Sequence, residues 1–378
     1  MKKILILTAS FGEGHNSAAR GVRDGLSRVA PDMQVELHDL FAETYGRLNE
    51  IVRKAYLSLI NRWPHSWGYV YRWLDRKRDF DGNFARFTQL KHHFSQLLTR
   101  FQPEVVVSTF PPYPYLLPQI LGPRRPCKNI VVVTDSITVN AIWYRCAADY
   151  FLVPNEQSAA VVRTSGIAPE KIKTFGFPVS PKFADLTQVR QPDGLVLWRD
   201  RELPADKSGR RLLYVINAGT GNAPELVRRL LDLNLELTVT VGRDEKLRAA
   251  VEAAARDKAC SERSRGIDIV GWTDQLPRML CNSHLLVAKA GGAIVQETIA
   301  AGCPMIINHI VSGQEEGNAR LIVEANSGAI ALSPADVVAQ IERAFANGAQ
   351  QWHQWATNIS KLSRPRASLD IAEFLLSM

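Results

Sequence analysis

Residues 285–297 read Leu285-Leu286-Val287-Ala288-Lys289-Ala290-Gly291-Gly292-Ala293-Ile294-Val295-Gln296-Glu297. The apolar run Leu285–Val287 is a short strand, the paired glycines turn the chain, and a helix starts near Ala293. Backbone N–H groups at such a helix start, with its positive dipole end, cradle a pyrophosphate against Gly291, Gly292 and Ala293. Glu297 lies about one turn in, where a carboxylate reaches two vicinal ribose hydroxyls. Gly302-Cys303-Pro304 and then Gly313-Gln314-Glu315-Glu316-Gly317-Asn318-Ala319 follow. Gln314 and Glu315 fall in the loop after the next strand, placed to hydrogen-bond the hydroxyls of a hexose. Asn318 faces the same place from the first turn of the helix beyond.

Working outward, the same strand–turn–helix alternation recurs. Short β-branched runs stand at Ile4–Leu7, Val35–Leu37, Val105–Val107, Ile130–Val133, Leu212–Ile216, Leu237–Val241 and Ile267–Val270. Segments of helical period separate them, such as Ser17–Val29 and Leu226–Leu233. This pattern predicts an α/β protein with parallel sheets covered by helices on both faces. At 378 residues the chain suits two such doubly wound domains. The polar stretch after Gly176-Phe177-Pro178 is read as the break. Expected boundaries are 1–180 for the first domain, 181–210 for a linker and 211–350 for the second domain, with helices over 351–378.

Directly after the first strand comes Ser10-Phe11-Gly12-Glu13-Gly14-His15-Asn16-Ser17. Gly12-x-Gly14 alone is also half of a dinucleotide fingerprint, with Glu36 or Asp39 about where a ribose-binding acid would sit, so an NAD-dependent oxidoreductase stays open at this point. A Rossmann turn needs no histidine, however. His15 at the mouth of a cleft can act as a general base on a hydroxyl.

The net charge of +8 is uneven: residues 1–180 hold 23 Lys+Arg against 15 Asp+Glu, and the remainder is balanced. The window 41–100 concentrates 11 Lys+Arg and 12 of the 31 aromatic residues, including Trp63, Trp67, Trp73, Arg72 and Arg76. Basic groups seek anionic headgroups and Trp prefers the membrane interface, so this insertion reads either as a helical insertion with solvated charges and inward-packed aromatics or as a membrane-docking surface, with nucleic-acid stacking a third reading. No apolar run is long enough to span a bilayer, and Met1-Lys2-Lys3 leads into a strand rather than a signal peptide. Five cysteines without a C-x-x-C pair argue against a disulfide framework or a zinc knuckle. Asp79-Phe80-Asp81 beside Arg76-Lys77-Arg78 reads as ion-paired carboxylates rather than a metal site.

These motifs together resemble the monogalactosyldiacylglycerol synthases and processive diacylglycerol glucosyltransferases of glycosyltransferase family 28. The likeness rests on Gly12 to His15, Thr134-Asp135 with Trp143, Gly176-Phe177-Pro178, and the block Lys289 to Asn318. It implies a GT-B fold, two Rossmann-like domains facing across a cleft, with the last helices crossing back to the first domain. It implies transfer of a hexose from a UDP-sugar to diacylglycerol by a peripheral protein on the cytoplasmic face of the membrane. The donor would contact Gly219-Thr220-Gly221, Trp272 (bordering the uracil), Gly291, Gly292, Ala293, Glu297, Gln314, Glu315 and Asn318. The acceptor side would hold Gly12, Gly14 and Trp143. His15 is the expected base of an inverting displacement, with Asp135 the second candidate or its orienting partner, and no metal or cofactor is required. Two departures stand out. Asn140 occupies the place of a family His, which leaves a UDP-sugar transferase acting on another lipid or polyprenyl-linked acceptor as the alternative. Ile294 stands where members often carry Thr.

Overall fold

Parallel strands covered on both faces must be apolar throughout, and Ile4–Leu7 and Leu285–Ala288 are accordingly buried to the last residue. The computed structural model describes residues 2–62, 80–187, 203–204, 209–216, 222–259, 267–311 and 315–378. Twelve strands lie among them: β1 (Lys3–Thr8), β2 (Gln34–Asp39), β3 (Val105–Ser108), β4 (Lys128–Val132), β5 (Tyr150–Val153), β6 (Ile172–Thr174), β7 (Arg211–Val215), β8 (Glu236–Gly242), β9 (Ile267–Gly271), β10 (Leu285–Lys289), β11 (Met305–His309) and β12 (Gly328–Ile330). They form two parallel six-stranded sheets, ordered β2-β1-β3-β4-β5-β6 and β12-β11-β10-β7-β8-β9. Each is doubly wound, so each has one point where the strand order reverses: between β1 and β3, and between β7 and β10. In open α/β sheets ligands bind beyond the carboxyl ends of the strands at that point.

The chain divides into two compact units, residues 1–181 with 311–317 and 366–378, and residues 182–310 with 318–365. In the first unit, α1 (Glu13–Val29), α2 (Leu40–Arg62), α3 (Thr88–Phe101), α4 (Tyr113–Leu121) and α5 (Glu156–Thr164) connect the strands. Both flanks of the expected insertion 41–100 are core: Phe41, Phe80, Phe84, Leu90 and Phe94 are buried against Leu5, Leu7 and Val106. Trp63, Trp67, Arg72, Trp73, Arg76 and Asp79 lie outside the described residues.

The second unit begins with α6 (Lys182–Thr187), a helix where the linker was expected to start. Its Lys182 Nζ donates to Asp274 Oδ2 at 3.0 Å. There follow α7 (Ala223–Leu230), α8 (Glu245–Ala259), α9 (Leu276–Asn282), α10 (Gly292–Ala301), α11 (Glu316–Glu324, which enters this unit at Asn318), α12 (Pro334–Phe345) and α13 (Gln350–Leu362). The core gathers Leu212, Tyr214, Val239, Leu285, Val287, Ile306 and Trp352.

One further helix, α14 (Ala367–Ser377), belongs to the first unit and packs on α1. The approach is too close for side chains: a Cβ on Gly25 would stand 2.2 Å from the Ser368 carbonyl oxygen. One turn earlier, a Cβ on Gly21 would meet the Pro178 carbonyl at 1.7 Å, which gives the Gly176-Phe177-Pro178 motif its place against α1. Lys2 Nζ, from the foot of β1, donates to the carbonyls of Leu375 and Leu376.

Candidate active site

β1 ends at Thr8, and α1 starts at Glu13, four residues before the expected Ser17, so His15 lies in the helix's first turn. The switch point brings Thr109, just past β3, beside it. His15 Nδ1 is 2.9 Å from the Thr109 carbonyl oxygen and 3.0 Å from Thr134 Oγ1. A carbonyl only accepts, so the ring proton sits on Nδ1 and the Nε2 lone pair is left to receive a proton. Thr109 is itself locked: its N–H donates to the Leu7 carbonyl, and its hydroxyl lies 3.1 Å from the His15 carbonyl oxygen.

The ring is walled by aromatics. Phe110 meets it edge-on with centroids 5.1 Å apart, Trp143 at 5.8 Å, and Phe11 stacks on Phe110. Desolvation there disfavours the imidazolium and lowers the His15 pKa to about 4. The side chain is therefore a neutral base at physiological pH. A Cβ on Gly12 would lie 3.6 Å from His15 Cδ2 and 4.0 Å from Nε2, so a side chain at this position would stand against the basic edge. Nothing lies within 4 Å of a Cβ on Gly14.

Trp143, expected on the acceptor side, is 2% exposed and backs the imidazole rather than facing outward. Asp135 is not among the imidazole's hydrogen-bond partners, which are Thr109 and Thr134; its carboxylate receives the Asn140 N–H at 3.4 Å. It does not orient the ring directly. Asn140 is buried and its Oδ1 accepts the Ile142 N–H, capping the short turn Ala141–Trp143. The acids of the dinucleotide alternative are committed elsewhere. Glu36 is bonded to His38 and Arg100, and Asp39 accepts from Ser10 and Ala42.

In the second unit, Gly291 caps α10 without any side-chain hydrogen bond, leaving the first turn's N–H groups presented by backbone alone. From Gly292 to Ala301 every residue is buried except Gly292, Ala293 and Glu297. Ala293 and Glu297 are four residues apart and so share one face, the open strip of an otherwise enclosed helix. Asn318 Nδ2 donates to the Ala290 carbonyl at 3.0 Å and would lie 3.7 Å from a Cβ on Gly292, so Asn318 braces the glycine turn. Glu315, which belongs with residues 311–317 to the first unit, is buried, and its Oε2 accepts the Val311 N–H at 2.9 Å. Trp272, just past β9, is 65% exposed and carries the Arg243 guanidinium over its ring at 4.8 Å. Arg243 follows β8, so this pair sits at the same carboxyl edge of the sheet as Gly291. Gly219, Thr220, Gly221 and Gln314 lie outside the described residues.

The groups that escaped the sequence reading are Thr109 and Phe110, which hold no motif. Their signal was positional, since they follow a buried strand next to β1. Arg243 was missed for the same reason.

Comparison with known proteins agrees with this layout. The family model "Monogalactosyldiacylglycerol (MGDG) synthase" matches residues 15–179. A probable monogalactosyldiacylglycerol synthase of Glycine max is 26% identical over 99% of this chain and 71% of its own length. The monogalactosyldiacylglycerol synthase of Spinacia oleracea is 25% identical over 99% of this chain and 72% of its own. Among solved structures, Acinetobacter baumannii MurG superposes with a TM-score of 0.61 at 14% identity, covering both chains fully. A UDP-GlcNAc 2-epimerase from Neisseria meningitidis bound to UDP-GlcNAc gives 0.60 at 12% identity, again over both whole chains. These likenesses establish the GT-B fold, which transferases and epimerases share. The family match falls on the first unit and the relatives align along nearly the whole chain, so the chain is similar in sequence to the monogalactosyldiacylglycerol synthases.

Proposed function

We propose that the protein is an inverting glycosyltransferase that moves a hexose from a UDP-sugar to diacylglycerol, making a glycolipid without a metal or cofactor. The observation that carries this reading is a histidine held neutral, with both of its ring hydrogen bonds on Nδ1, in a chain whose second unit presents a bare helix start. An acceptor hydroxyl would attack C1 of the sugar while the bond from C1 to the diphosphate oxygen breaks. The hydroxyl proton passes to His15 Nε2, and UDP leaves with its charge met by the N–H groups of α10. A base with a pKa near 4 takes the proton only as the new C–O bond makes that hydroxyl acidic. Glu297, on the open strip with Ala293, is placed to bind the ribose, and Trp272 to border the uracil. Gln314, Glu315 and Asn318 are assigned to the sugar loop, Asn318 and Glu315 chiefly by shaping it.

The protein is assigned to a membrane surface as a peripheral protein on the cytoplasmic face. Supporting this are the basic first half and two exposed apolar residues on α2, Leu48 (58%) and Ile51 (63%), next to Arg47. Among the described residues no helix is long and apolar enough to cross a membrane. One observation favours a second reading. Asn140 is bound into its own turn, so whatever the family His contributes at that position is absent, which suits a different lipid acceptor.

The test is transfer from a panel of radiolabelled UDP-hexoses into diacylglycerol in anionic vesicles, with EDTA throughout. Labelled glycolipid from one UDP-hexose supports donor, acceptor and metal independence together. Release of UDP without glycolipid points to the second reading, and no turnover with any donor overturns the proposal.

A further inference from the structure

We propose that Asp39 is a positioning residue for His15: its carboxylate ties the turn that carries the histidine to the first turn of α2 and so holds the ring in its aromatic-walled seat. The inference rests on His15 being the base.

α1 lacks a capping side chain at Gly12, so something else must fix its start. Asp39, the last residue of β2, does this through a chain of hydrogen bonds. Its Oδ2 accepts both the Ser10 N–H (2.8 Å) and the Ser10 hydroxyl (2.6 Å). Ser10 Oγ accepts from Asn16 Nδ2 at 3.2 Å, and Asn16 Oδ1 accepts from the Thr8 hydroxyl at 3.0 Å. Asn16 is the neighbour of His15 within the helix. The other oxygen, Oδ1, accepts the Ala42 N–H at 2.9 Å and so caps α2.

A second path runs beside the first. Phe41, in the same first turn of α2, packs edge-on against Phe11 and Phe110 at 5.7 Å, and Phe110 meets the imidazole. One carboxylate thus serves the turn behind His15 and the helix start that presses the aromatic wall onto it. Three accepted hydrogen bonds need both oxygens as acceptors. An amide at this position has one, so it satisfies either Ser10 or Ala42.

The other charged and titratable groups around the seat are Asp135 beside Thr134, Glu13 paired with Arg20, Tyr113 against Phe110, and His38 with Glu36 and Glu43 on the far side of Asp39. None of them bonds to the ring. Loosening the turn admits water, and a hydrated imidazole returns towards its ordinary pKa of about 6.5. The acid limb of the pH–rate profile therefore reports whether the seat is intact.

The experiment compares wild type, Asp39→Asn, Ser10→Ala and His15→Ala, recording thermal midpoints, kcat and KM for the UDP-sugar, and the pH dependence of kcat/KM. For Asp39→Asn we expect kcat to fall about 10- to 30-fold with donor KM unchanged, and the acid limb to move up by about one to two pH units. Ser10→Ala removes the hydroxyl bond to Asp39 and the Asn16 bond to that hydroxyl, but keeps the Ser10 and Ala42 N–H groups on the carboxylate, and should shift both in the same direction by less, about threefold in kcat. It carries the test if Asp39→Asn does not fold. An Asp39→Asn enzyme with wild-type kcat overturns the inference while inactivity of His15→Ala leaves the base intact. So does a loss of activity that merely tracks unfolding with the acid limb unmoved. Full turnover in His15→Ala overturns the base reading itself, and the inference with it.

Discussion

Two glycine turns, each at the switch point of its own sheet, are built to opposite ends. The turn at 12–15 delivers a side chain: His15 is fixed by Thr109 and Thr134, backed by Phe110 and Trp143, and stripped of water. The turn at 291–293 delivers backbone, with no capping side chain and only Ala293 and Glu297 on its open strip. The fold supplies the same strand–turn–helix twice. What differs is whether the helix start carries a seated side chain or presents backbone alone. Fold alone therefore says little about chemistry, and the residues at the two helix starts say most of it.

The sharpest way to break this comparison is His15→Ala. Loss of the general base should lower kcat about a thousandfold, with UDP affinity unchanged, as read by steady-state kinetics and calorimetry. Next in size is Gly25→Ala, whose Cβ would press on the Ser368 carbonyl. Backbone must move, and we expect a loss of about 2–3 kcal/mol, seen as a lowered thermal midpoint. Gly292→Ala should be smaller and of a different kind. Its Cβ meets only Asn318 Nδ2, at an ordinary 3.7 Å, so folding is untouched. The methyl would enter the proposed diphosphate seat, and KM for the donor should rise about tenfold with kcat nearly unchanged. An unaltered KM would move the diphosphate away from α10.

A further effect is on stability against pH, where two histidines of the first unit, His15 and His38, carry opposite signs. His15 has a folded pKa near 4, below its unfolded value of 6.5, so the unfolded chain binds more protons in that window. Stability falls as pH drops from 6.5 to 4 and is unaffected by His15 above. His38 is held above 6.5 chiefly by the Glu43 carboxylate and then Glu36. Its contribution is complete below 6.5 and is lost as pH rises through the raised folded value. Thermal midpoints across pH 4–9 should show His38→Gln costing most at low pH, and His15→Gln relieving part of the acid loss.

Much of the layout could be read from sequence because parallel strands leave continuous apolar runs. Ile4–Leu7, Val105–Val107 and Leu285–Val287 all lie within observed strands. Tyr150–Val153, Ile172–Thr174 and Gly328–Ile330 were not picked out; they are short, and the latter two are sheet edges, where half-burial blurs the pattern. In the site, glycines and the histidine were visible as motifs. The partners that set the base were not, since Thr109, Phe110 and Asp39 become neighbours only through strand order. That Trp143 packs on the imidazole was likewise not legible, because an aromatic side chain gives no sign in the sequence of which way it faces. The window 41–100 looked like one insertion, yet its flanks are core, because charge density over sixty residues hides the helical period of Leu90, Phe94, Leu97 and Phe101.

The groove along α1 that receives α14 sets an order of events. The helix that covers Gly25 is made only after the whole of the second unit has been synthesised. During translation β1 to β6 can pair, but α1 stays bare on that side while more than three hundred residues are added between Gly25 and Ser368. Completion of the first unit is thus a late, long-range closure, slow by nature and exposed to capture of the uncovered groove. A chaperone acting on this chain would have its work at that groove, until Ala367–Ser377 is available to cover it.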